Sequence, residues 1–438
     1  MLSSLLTYAY RLLYQFLITL LLPFALLRLL IKARTHPDYR YHWQQRLGLV
    51  TQTQKQAGPV IWLHAVSVGE VIASAPLVQQ LRLQYPTLRL LVSTTTPTGR
   101  VQAARRLNAD NLFYLPFDTF FIIRRTLARL KPDLVILMET EIWPNLIQQC
   151  RRAGIPTLLA NARLSERSFK RYQKLGALSA HVIRQLSHIA VRNPQDADYF
   201  QQLAGNDISL TVAGNIKFDI QVDRHLISQA QSLLQRWQPT DMLWIAASTH
   251  PGEDELMLQA HQQLLLQHPQ LKLILAPRHP ERADTLQQQL ADAGLQALRY
   301  SKIKQVDTFD TQVILVDTLG DLMTLYAASD ITVVAGSFVP HGGHNPIEPA
   351  VLAKPVISGP FIRNFTEEYR VLTQADAALV LTQPGIAAVP ELVATLDALL
   401  RQASRRQMLG IQAQRVVADQ QQATRLLVGL VDDLLAGN

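Results

Sequence analysis

One glutamate, Glu348, lies in the stretch HGGHNPIEPA (341–350), just after an apolar run that predicts a buried strand. Its setting has two interpretations. Asn345 suits the N-cap of a helix, Pro346 the first helical position and Glu348 the third, where a carboxylate returns a hydrogen bond to the cap. Alternatively the stretch holds a ligand, because free N–H groups at a helix start attract anions and the paired glycines let a phosphate come close.

A second glutamate, Glu70, ends the stretch HAVSVGE (64–70), which follows another apolar run. Ser67 and Glu70 have the S-x-x-E spacing of a capping box, so a purely structural role is one hypothesis. Gly69 opens the backbone directly before the glutamate, however, and α/β sheets bind ligands beyond the carboxyl ends of their strands. There a carboxylate can act as a general base that takes a proton from an acceptor hydroxyl.

Two more glutamates, Glu139 and Glu141, follow an apolar run in LMETEIWPNLI (137–147). Side chains two residues apart point in different directions, so only one of the two is expected to face a site. Bare carboxylates in so apolar a setting are costly without partners. The basic run ARLSERSFKRYQK (162–174) supplies cations nearby; it is either a phosphate-binding segment or a solvated helix face.

The C-terminal half repeats one arrangement, in which a polar or flexible loop follows an apolar run. ASTHPGEDE (247–255), APRHPER (276–282) and VDTLGDL (316–322) each follow a predicted strand, as HGGHNPIE does. Arg278 in the second loop offers a bidentate fork for a phosphate. Four loops converging on one sheet edge predict a binding site for an anionic ligand the size of a nucleotide.

Neither a metal nor a redox cofactor is expected. The only D-x-D sequence, DAD (196–198), reads as a capped helix start, and His341 and His344 lack a third well-placed ligand. No G-x-G-x-x-G fingerprint is present, so a nicotinamide or flavin is not predicted. The single cysteine, Cys150, excludes a disulfide framework and fits a reducing cytoplasm.

Hydrophobic patterning indicates the scaffold that must position these residues. In the first half, apolar strands alternate with helices; the strands are predicted at 60–65, 88–95, 134–138 and 156–161. The pattern restarts after a predicted linker at 215–240 and gives strands at 242–247, 271–276, 312–317, 331–336 and 354–358. This alternation favours an α/β protein with two Rossmann-like domains that face each other across a central cleft.

The N-terminus carries an apolar segment, residues 12–27, with Arg11 and Arg28 on its two sides. Its sixteen residues are fewer than the roughly 20 that span a bilayer, so it is either a spanning anchor or a helix that lies in the interface. The basic segment at 31–46 places the following part on the cytoplasmic side. The predicted divisions are a membrane anchor at 1–34, an acceptor-binding domain at 35–225 and a nucleotide-binding domain at 226–438.

Charge is distributed unevenly along the chain. Residues 1–185 carry 24 Lys and Arg against 8 Asp and Glu, a net charge of +16, and because the whole chain carries +8, residues 186–438 carry −8. The basic excess is confined to the half that bears the anchor. It predicts an anionic membrane surface or an anionic acceptor rather than nucleic acid, unless it is only a solvated face.

These motifs together resemble one family, the 3-deoxy-D-manno-octulosonic acid (Kdo) transferases of lipopolysaccharide assembly. The blocks that resemble it occur in the family's order and cover nearly the whole chain: VSVGE, METEIWPN, GNIKFD (214–219), ASTHPGEDE, PRHPER, DTLGDL and GSFVPHGGHNPIEPA. The resemblance implies a GT-B glycosyltransferase that works with inversion and without a metal or cofactor. It also implies CMP-Kdo as donor, the lipid A precursor lipid IVA as acceptor, and a place on the cytoplasmic side of the inner membrane.

Residue roles follow from the same resemblance. Glu70 is implied as the general base, while Glu139 and Lys217 are implied to assist the transition state; Glu141 lies close enough to exchange roles with Glu139. The CMP contacts implied are Arg278, His279, Leu319, Gly320, Asp321, Asn345, Pro346, Ile347 and Glu348. Two alternatives stay open, namely a GT-B transferase or epimerase that uses another nucleotide sugar, such as a UDP-sugar, and a membrane-anchored scaffold without turnover.

Overall fold

The structure is a computed structural model that describes residues 2–53, 57–220, 222–305 and 311–437, with side chains from Leu13 onward except at 224, 304 and 305. It divides the chain into two compact units. The N-terminal unit contains residues 1–219 and 420–438, and the C-terminal unit contains residues 220–419.

The N-terminal unit is built on a parallel sheet of seven strands in the order β3-β2-β1-β4-β5-β6-β7. Its strands are β1 Val60–His64, β2 Arg89–Thr94, β3 Asn111–Tyr114, β4 Leu134–Met138, β5 Thr157–Ala162, β6 His188–Val191 and β7 Leu210–Val212. Its first eight helices are α1 Leu2–Thr35, α2 Val68–Gln84, α3 Pro97–Arg106, α4 Phe120–Leu130, α5 Pro144–Arg152, α6 Glu166–Leu175, α7 Ala177–Ile183 and α8 Pro194–Ala204.

The C-terminal unit has a second parallel sheet of seven strands, in the order β10-β11-β9-β8-β12-β13-β14. Its strands are β8 Met242–Thr249, β9 Leu271–Pro277, β10 Ala297–Arg299, β11 Val313–Leu315, β12 Ile331–Val334, β13 Val356–Ser358 and β14 Ala378–Val380. Its helices are α9 Arg224–Leu234, α10 Asp254–Leu265, α11 Ala283–Asp292, α12 Leu322–Ala328, α13 Ile347–Val351, α14 Thr366–Gln374, α15 Val389–Arg401 and α16 Ala403–Gln420.

The central strands are largely apolar because helices cover both faces of each sheet. β4, with the sequence LVILM, is buried throughout, and β1 pairs with it in parallel register, with Leu63 opposite Ile136. Parallel strands buried on both faces read as continuous apolar runs rather than as alternating ones. Because the strands are parallel, their carboxyl ends all lie at the same end of the sheet. This brings the polar residues after β1, β4 and β5 together.

The predicted fold class is confirmed, and all nine predicted strands are present. The strands that the sequence pattern missed are β3, β6, β7, β10 and β14, which lie at or next to the edges of the two sheets. Each is only three or four residues long, and several carry polar side chains, such as Asn111, Thr211 and Arg299. Edge strands bury less surface, so their sequences need no long apolar run.

The C-terminal segment does not follow the predicted division, in which residues 226–438 form one domain. The last helix, α17 (Ala423–Ala436), belongs to the N-terminal unit, not to the C-terminal domain assigned to 226–438. Leu427 and Val431 are buried there in the core that contains Leu63 of β1, and α17 packs against α2. Its apolar face is covered by the first sheet, which is why the chain returns to that unit.

Candidate active site

Glu70 lies in the first turn of α2, at the carboxyl end of β1. Ser67 caps the helix, with its Oγ accepting the Glu70 N–H at 3.4 Å, and its hydroxyl donates to Glu70 Oε1 at 3.1 Å. The Val66 N–H donates to Glu70 Oε2 at 2.8 Å. The predicted capping geometry is therefore present, although the carboxylate returns its backbone hydrogen bond to Val66 rather than to Ser67.

The charge state of Glu70 is set by its surroundings. Burial raises the pKa of Glu70 to about 7, the Val66 hydrogen bond opposes that rise, and the carboxylates of Glu139 and Glu141 add to it. A carboxyl group with such a pKa is partly ionised near neutral pH, where it can accept a proton and hold it. The three candidate glutamates of the N-terminal half, Glu70, Glu139 and Glu141, thus interact at one end of the sheet.

Glu139 follows β4 directly in a backbone conformation that favours glycine. Its φ is +54°, and its N–H donates to the Ala160 carbonyl at 2.9 Å. The side chain is 9% exposed, and Arg163 Nε lies 2.9 Å from Glu139 Oε2. A non-glycine residue with positive φ is uncommon, and such strain is concentrated at functional sites. Arg163 supplies the partner that this buried carboxylate requires.

Glu141 is held by different groups. Trp143 Nε1 donates to Glu141 Oε2 at 2.7 Å, and His64 Nε2 at the end of β1 lies 3.4 Å from the same oxygen. Both glutamates act electrostatically on Glu70, and which of them faces the site stays a prediction. Glu139 and Glu141 differ instead in their partners, a guanidinium for the first and an indole and an imidazole for the second.

Lys217 lies in a short turn, Ile216–Phe218, that packs against α2, the helix that carries Glu70. Asn161, at the end of β5, accepts the Ile216 N–H through its Oδ1 at 3.2 Å. Asn161 is buried, has φ +52°, and its Nδ2 has no hydrogen-bond partner among the described residues. Asn161 falls in a predicted strand and is not among the predicted site residues, although a polar residue at the end of a predicted strand was a usable signal.

The loops of the C-terminal unit are tied together by Glu253, which precedes α10. Its fully buried carboxylate accepts four backbone N–H groups, from His250 at 2.9 Å, Gly336 at 2.7 Å, Ser337 at 3.0 Å and Phe338 at 2.9 Å. One carboxylate therefore joins the loop after β8 to the loop after β12. The sequence analysis included Glu253 in ASTHPGEDE but gave it no role.

Four histidines lie close together at this end of the second sheet. His250 Nε2 is 2.9 Å from His344 Nε2, and the His250 ring centroid lies 3.7 Å from that of His341 and 6.0 Å from that of His279. Burial, followed by the electrostatic effect of the neighbouring histidines and of Arg278, lowers the pKa of His250 to about 4 and that of His344 to about 3. These two imidazoles are neutral at pH 7, which leaves the exposed Arg278 as a fixed positive charge beside the group.

Gly336 permits this histidine arrangement. Its φ is +70°, and a Cβ at that position would lie 2.6 Å from the His344 ring. Any side chain would push His344 away from His250. The glycine is therefore required by both its backbone conformation and the close approach of the ring.

The stretch around Glu348 forms a compact cap. Asn345 Oδ1 accepts the Ile347 N–H at 3.1 Å, and Asn345 Nδ2 donates to Glu348 Oε1 at 3.3 Å. α13 begins at Ile347, so its N-cap is Pro346, one residue later than the predicted cap at Asn345. Asn345 still satisfies a free N–H, and Glu348 returns its bond to the Asn345 side chain rather than to the backbone.

The remaining predicted contacts lie on the loop after β11, which pairs with β9. Gly320 has φ +101°, the Leu319 side chain is 74% exposed, and the Asp321 carboxylate accepts a hydrogen bond from Thr318. Arg278 follows β9, so these residues and Arg278 occupy neighbouring strand ends. Their joint role in binding stays a prediction.

The part of the chain that the structure describes contains no group of three or more His, Cys, Asp and Glu side chains arranged to hold a metal ion. The DAD sequence is a helix start, as its sequence indicates. The Asp196 N–H donates to Asn193 at 2.8 Å, and its carboxylate accepts the Leu164 N–H at 2.7 Å.

Comparison with known proteins decides the family. A family model described as 3-deoxy-D-manno-octulosonic-acid transferase (kdotransferase) matches residues 41–220, the region that holds Glu70, Glu139 and Lys217. The 3-deoxy-D-manno-octulosonic acid transferase of Haemophilus influenzae is 39% identical over 92% of this chain and 93% of that protein. The chain belongs to the Kdo transferase family. The Kdo transferase of Bordetella pertussis is also similar, with 34% identity over 86% of this chain and 88% of its own length.

The chain shares its fold with solved structures of low sequence identity. The crystal structure of Acinetobacter baumannii MurG superposes with a TM-score of 0.55 at 15% identity, over 86% of this chain and 99% of that one. A UDP-GlcNAc 2-epimerase from Neisseria meningitidis superposes with a TM-score of 0.54 at 14% identity, over 87% of this chain and 100% of the other. At such identities the likeness shows the fold alone, the GT-B type, as predicted. The family model and the similar transferases, not the fold, make the chain a glycosyltransferase of lipopolysaccharide biosynthesis.

Proposed function

We propose that this Kdo transferase moves Kdo from CMP-Kdo to a hydroxyl of lipid IVA, with inversion and without a metal, and that Glu70 is the general base. The single observation that carries the proposal is the state of Glu70. It lies at the carboxyl end of β1, its carboxylate accepts one hydrogen bond at each oxygen and has room for more, and its pKa is raised to about 7. A base of that pKa operates well near neutral pH.

The proposed reaction is a single displacement. The acceptor hydroxyl gives its proton to Glu70 as its oxygen bonds to the anomeric carbon of Kdo. The bond from that carbon to the phosphate oxygen breaks, and CMP leaves with the electron pair. One displacement inverts the configuration of the anomeric carbon.

Cations stabilise the charge that develops in this step. Lys217, on the turn that packs against the Glu70 helix, is assigned to assist the transition state. Glu139, whose charge acts on Glu70, is assigned to assist it as well. Arg278 meets the CMP phosphate, supported by His279 on the same loop. Fixed charges aimed at a developing anion commonly supply the largest part of catalysis.

The other donor contacts are assigned to backbone and polar groups. Leu319, Gly320 and Asp321 present a flexible loop to the nucleotide. The segment Asn345–Glu348, whose polar groups cap α13, offers the Glu348 carboxylate to the ribose diol. Pro346 and Ile347 are buried, so they contribute backbone rather than side-chain contacts.

The acceptor and the membrane explain the charge of the N-terminal half. Lipid IVA is a phosphorylated disaccharide with acyl chains, and residues 1–185 carry a net charge of +16. One apolar helix among the described residues, Leu13–Thr35, is long and apolar enough to cross a membrane. We therefore place the enzyme at the inner membrane with its globular part on the cytoplasmic side.

The test is mass spectrometry of the lipid after incubation of the purified full chain with CMP-Kdo and lipid IVA. The proposal expects lipid that is heavier by Kdo units with the wild type, and unchanged lipid with Glu70→Ala. CMP should protect the protein against thermal unfolding where UDP does not, in both forms. Unmodified lipid from a wild type that binds CMP would overturn the acceptor assignment, and protection by UDP alone would overturn the donor.

A further inference from the structure

The N-terminal helix α1 has two different faces over its described side chains. The partly or fully covered positions recur every three or four residues, so they form one docked stripe. They are Tyr14, Gln15, Ile18, Leu22, Ala25, Leu26, Leu29 and Ala33. A helix surrounded by lipid on all sides would have no such stripe, and here the contact is with the N-terminal unit, where α1 packs against α7.

Polar hydrogen bonds fix the early part of this stripe to the globular unit. The Tyr14 hydroxyl donates to Asp118 Oδ2 at 2.8 Å, and the Gln15 side-chain amide donates to Asn145 Oδ1. Asp118 is 3% exposed and also accepts the N–H groups of Asn145 at 3.0 Å and Leu146 at 2.8 Å. α1 is thereby bonded to the first residues of α5, directly after the Glu139–Trp143 loop.

The spacing of the two ends determines how the helix can lie. Tyr14 and Ala33 are nineteen residues apart, about 28 Å along an α-helix, which is close to the roughly 30 Å of a bilayer's hydrocarbon core. Yet Tyr14 is bonded to the N-terminal unit, and the chain enters the same unit directly after Ala33, which is buried and accepts a hydrogen bond from Arg40. A helix that crossed the bilayer would carry one of these ends away to the far side.

The opposite face of α1 is apolar and exposed. Phe16 is 64% exposed, Phe24 63% and Leu30 67%. Nine large apolar side chains make up this lipid-facing stripe: Leu13, Phe16, Leu17, Leu20, Leu21, Phe24, Leu27, Leu30 and Ile31. Arg28, Lys32 and Arg34 lie near its C-terminal end, where they suit anionic headgroups.

We propose that α1 lies in the plane of the membrane, docked on the N-terminal unit by one face and inserted by the other into a single leaflet, and that it does not cross the bilayer. The partner is a bilayer with anionic headgroups, since an apolar face flanked by cations matches hydrocarbon beside phosphate. The inference rests on the proposed function only in placing the enzyme at a membrane that holds its acceptor.

Spin labels on α1 in vesicles of phosphatidylethanolamine and phosphatidylglycerol test this arrangement. Each variant carries one new cysteine, at four positions of the lipid-facing stripe and at two positions of the docked stripe that serve as matched controls. The lipid-facing positions are Leu13, Leu20, Leu27 and Leu30, and the docked positions are Ile18 and Leu22. Cys150 is fully buried, so the unsubstituted protein should take up no label. Collision of each label with oxygen and with a water-soluble nickel chelate reports its depth in the bilayer.

The proposal expects one shallow depth at all four lipid-facing positions and exclusion of both reagents at the docked ones. A depth that reaches the bilayer centre near Leu20 and decreases toward both ends would show a crossing helix and overturn the proposal. Full access of the nickel chelate to the lipid-facing labels would overturn lipid contact. Label mobility that stays the same with and without vesicles would also overturn it and would indicate that a second copy of the chain covers this face. Kdo transfer is assayed in the same vesicles as an independent measurement. If transfer occurs but the depths differ from those expected, only this inference fails. If the depths are as expected but no transfer occurs, the proposed function fails.

Discussion

Two glutamates in equivalent places, Glu70 and Glu253, differ in how completely they are bonded. Each follows the first strand of its sheet in sequence and lies at the start of a helix. The Glu253 carboxylate accepts four backbone N–H groups, which is about the full capacity of a carboxylate, whereas Glu70 accepts two hydrogen bonds. Glu70 also has two other carboxylates near it.

This difference separates a structural carboxylate from a chemical one. Glu253 has no acceptor position left, so its place in the molecule is to hold two loops together. Burial raises the pKa of both carboxyls, but Glu70 alone of the two keeps acceptor capacity, so it is the one that we propose takes a proton. Position at the end of a strand is therefore not enough to propose a catalytic role, and the smaller number of accepted hydrogen bonds favours Glu70 as the candidate.

The largest expected effect comes from Glu70→Gln. The amide keeps the size of the side chain but cannot accept the acceptor's proton, so turnover should fall by about 10²–10⁴-fold. Thermal stability at pH 8 should not fall, because a carboxyl whose pKa is raised by folding costs stability once it ionises. Single-turnover kinetics and calorimetry measure both. Glu166→Gln, at an exposed glutamate of the same unit, should leave both quantities unchanged, and similar losses in the two variants would remove the special role of Glu70.

Glu253→Ala should act on stability rather than on chemistry. It leaves four buried N–H groups without their acceptor, which is expected to lower the free energy of unfolding by about 2–4 kcal/mol. CMP affinity should fall as the two loops separate. Denaturant unfolding checks the first effect and calorimetric titration the second, with the exposed Glu255→Ala as control. A variant as stable as the wild type would show that the four bonds contribute little.

Lys217→Ala tests whether the charge of Lys217, in the N-terminal unit, stabilises the transition state. Loss of one group aimed at the transition state should reduce kcat by about 10²-fold, while the KM for CMP-Kdo changes little. Steady-state kinetics separates the two constants. An exposed lysine, Lys174, provides the matched control as Lys174→Ala. If only KM rises, Lys217 binds substrate without acting on the reaction step.

Arg163→Met should give the smallest effect. The guanidinium lies 2.9 Å from Glu139, and without it the Glu139 charge acts more strongly on Glu70. The pKa of Glu70 should rise further, by about a few tenths of a unit, because Arg163 is 47% exposed and solvent screens the interaction. The acid limb of the pH–rate profile should move to higher pH than in the control variant Arg167→Met. A downward shift would contradict the electrostatic coupling of Glu139 to Glu70.

Most of the scaffold could be predicted from sequence because the central strands are buried on both faces. Apolar runs such as LVILM in β4 leave little ambiguity, and the glutamates that follow them are correctly placed at strand ends. The short edge strands were missed because they bury less and carry polar residues. The return of α17 to the N-terminal unit was missed because the apolar face of an amphipathic helix shows that it packs on a sheet but not which of the two sheets covers it.

The details of the site depend on contacts that a local pattern does not contain. Glu139 and Asn161 have a left-handed backbone, which neither residue type predicts. The four N–H partners of Glu253 come partly from residues more than eighty positions away in sequence. Sequence spacing marked Glu253 as one acid among several, and only the folded loops show why it is buried.

The most direct test of the central claim, that Glu70 is a base with a raised pKa, is the pH dependence of kcat/KM for Kdo transfer. The wild type should show a plateau above about pH 7 and a tenfold loss of rate for each pH unit below it. The residual rate of Glu70→Gln should lack that limb. A wild-type profile that stays flat down to about pH 5 would contradict the account, since no group with the pKa of Glu70 would then govern the reaction.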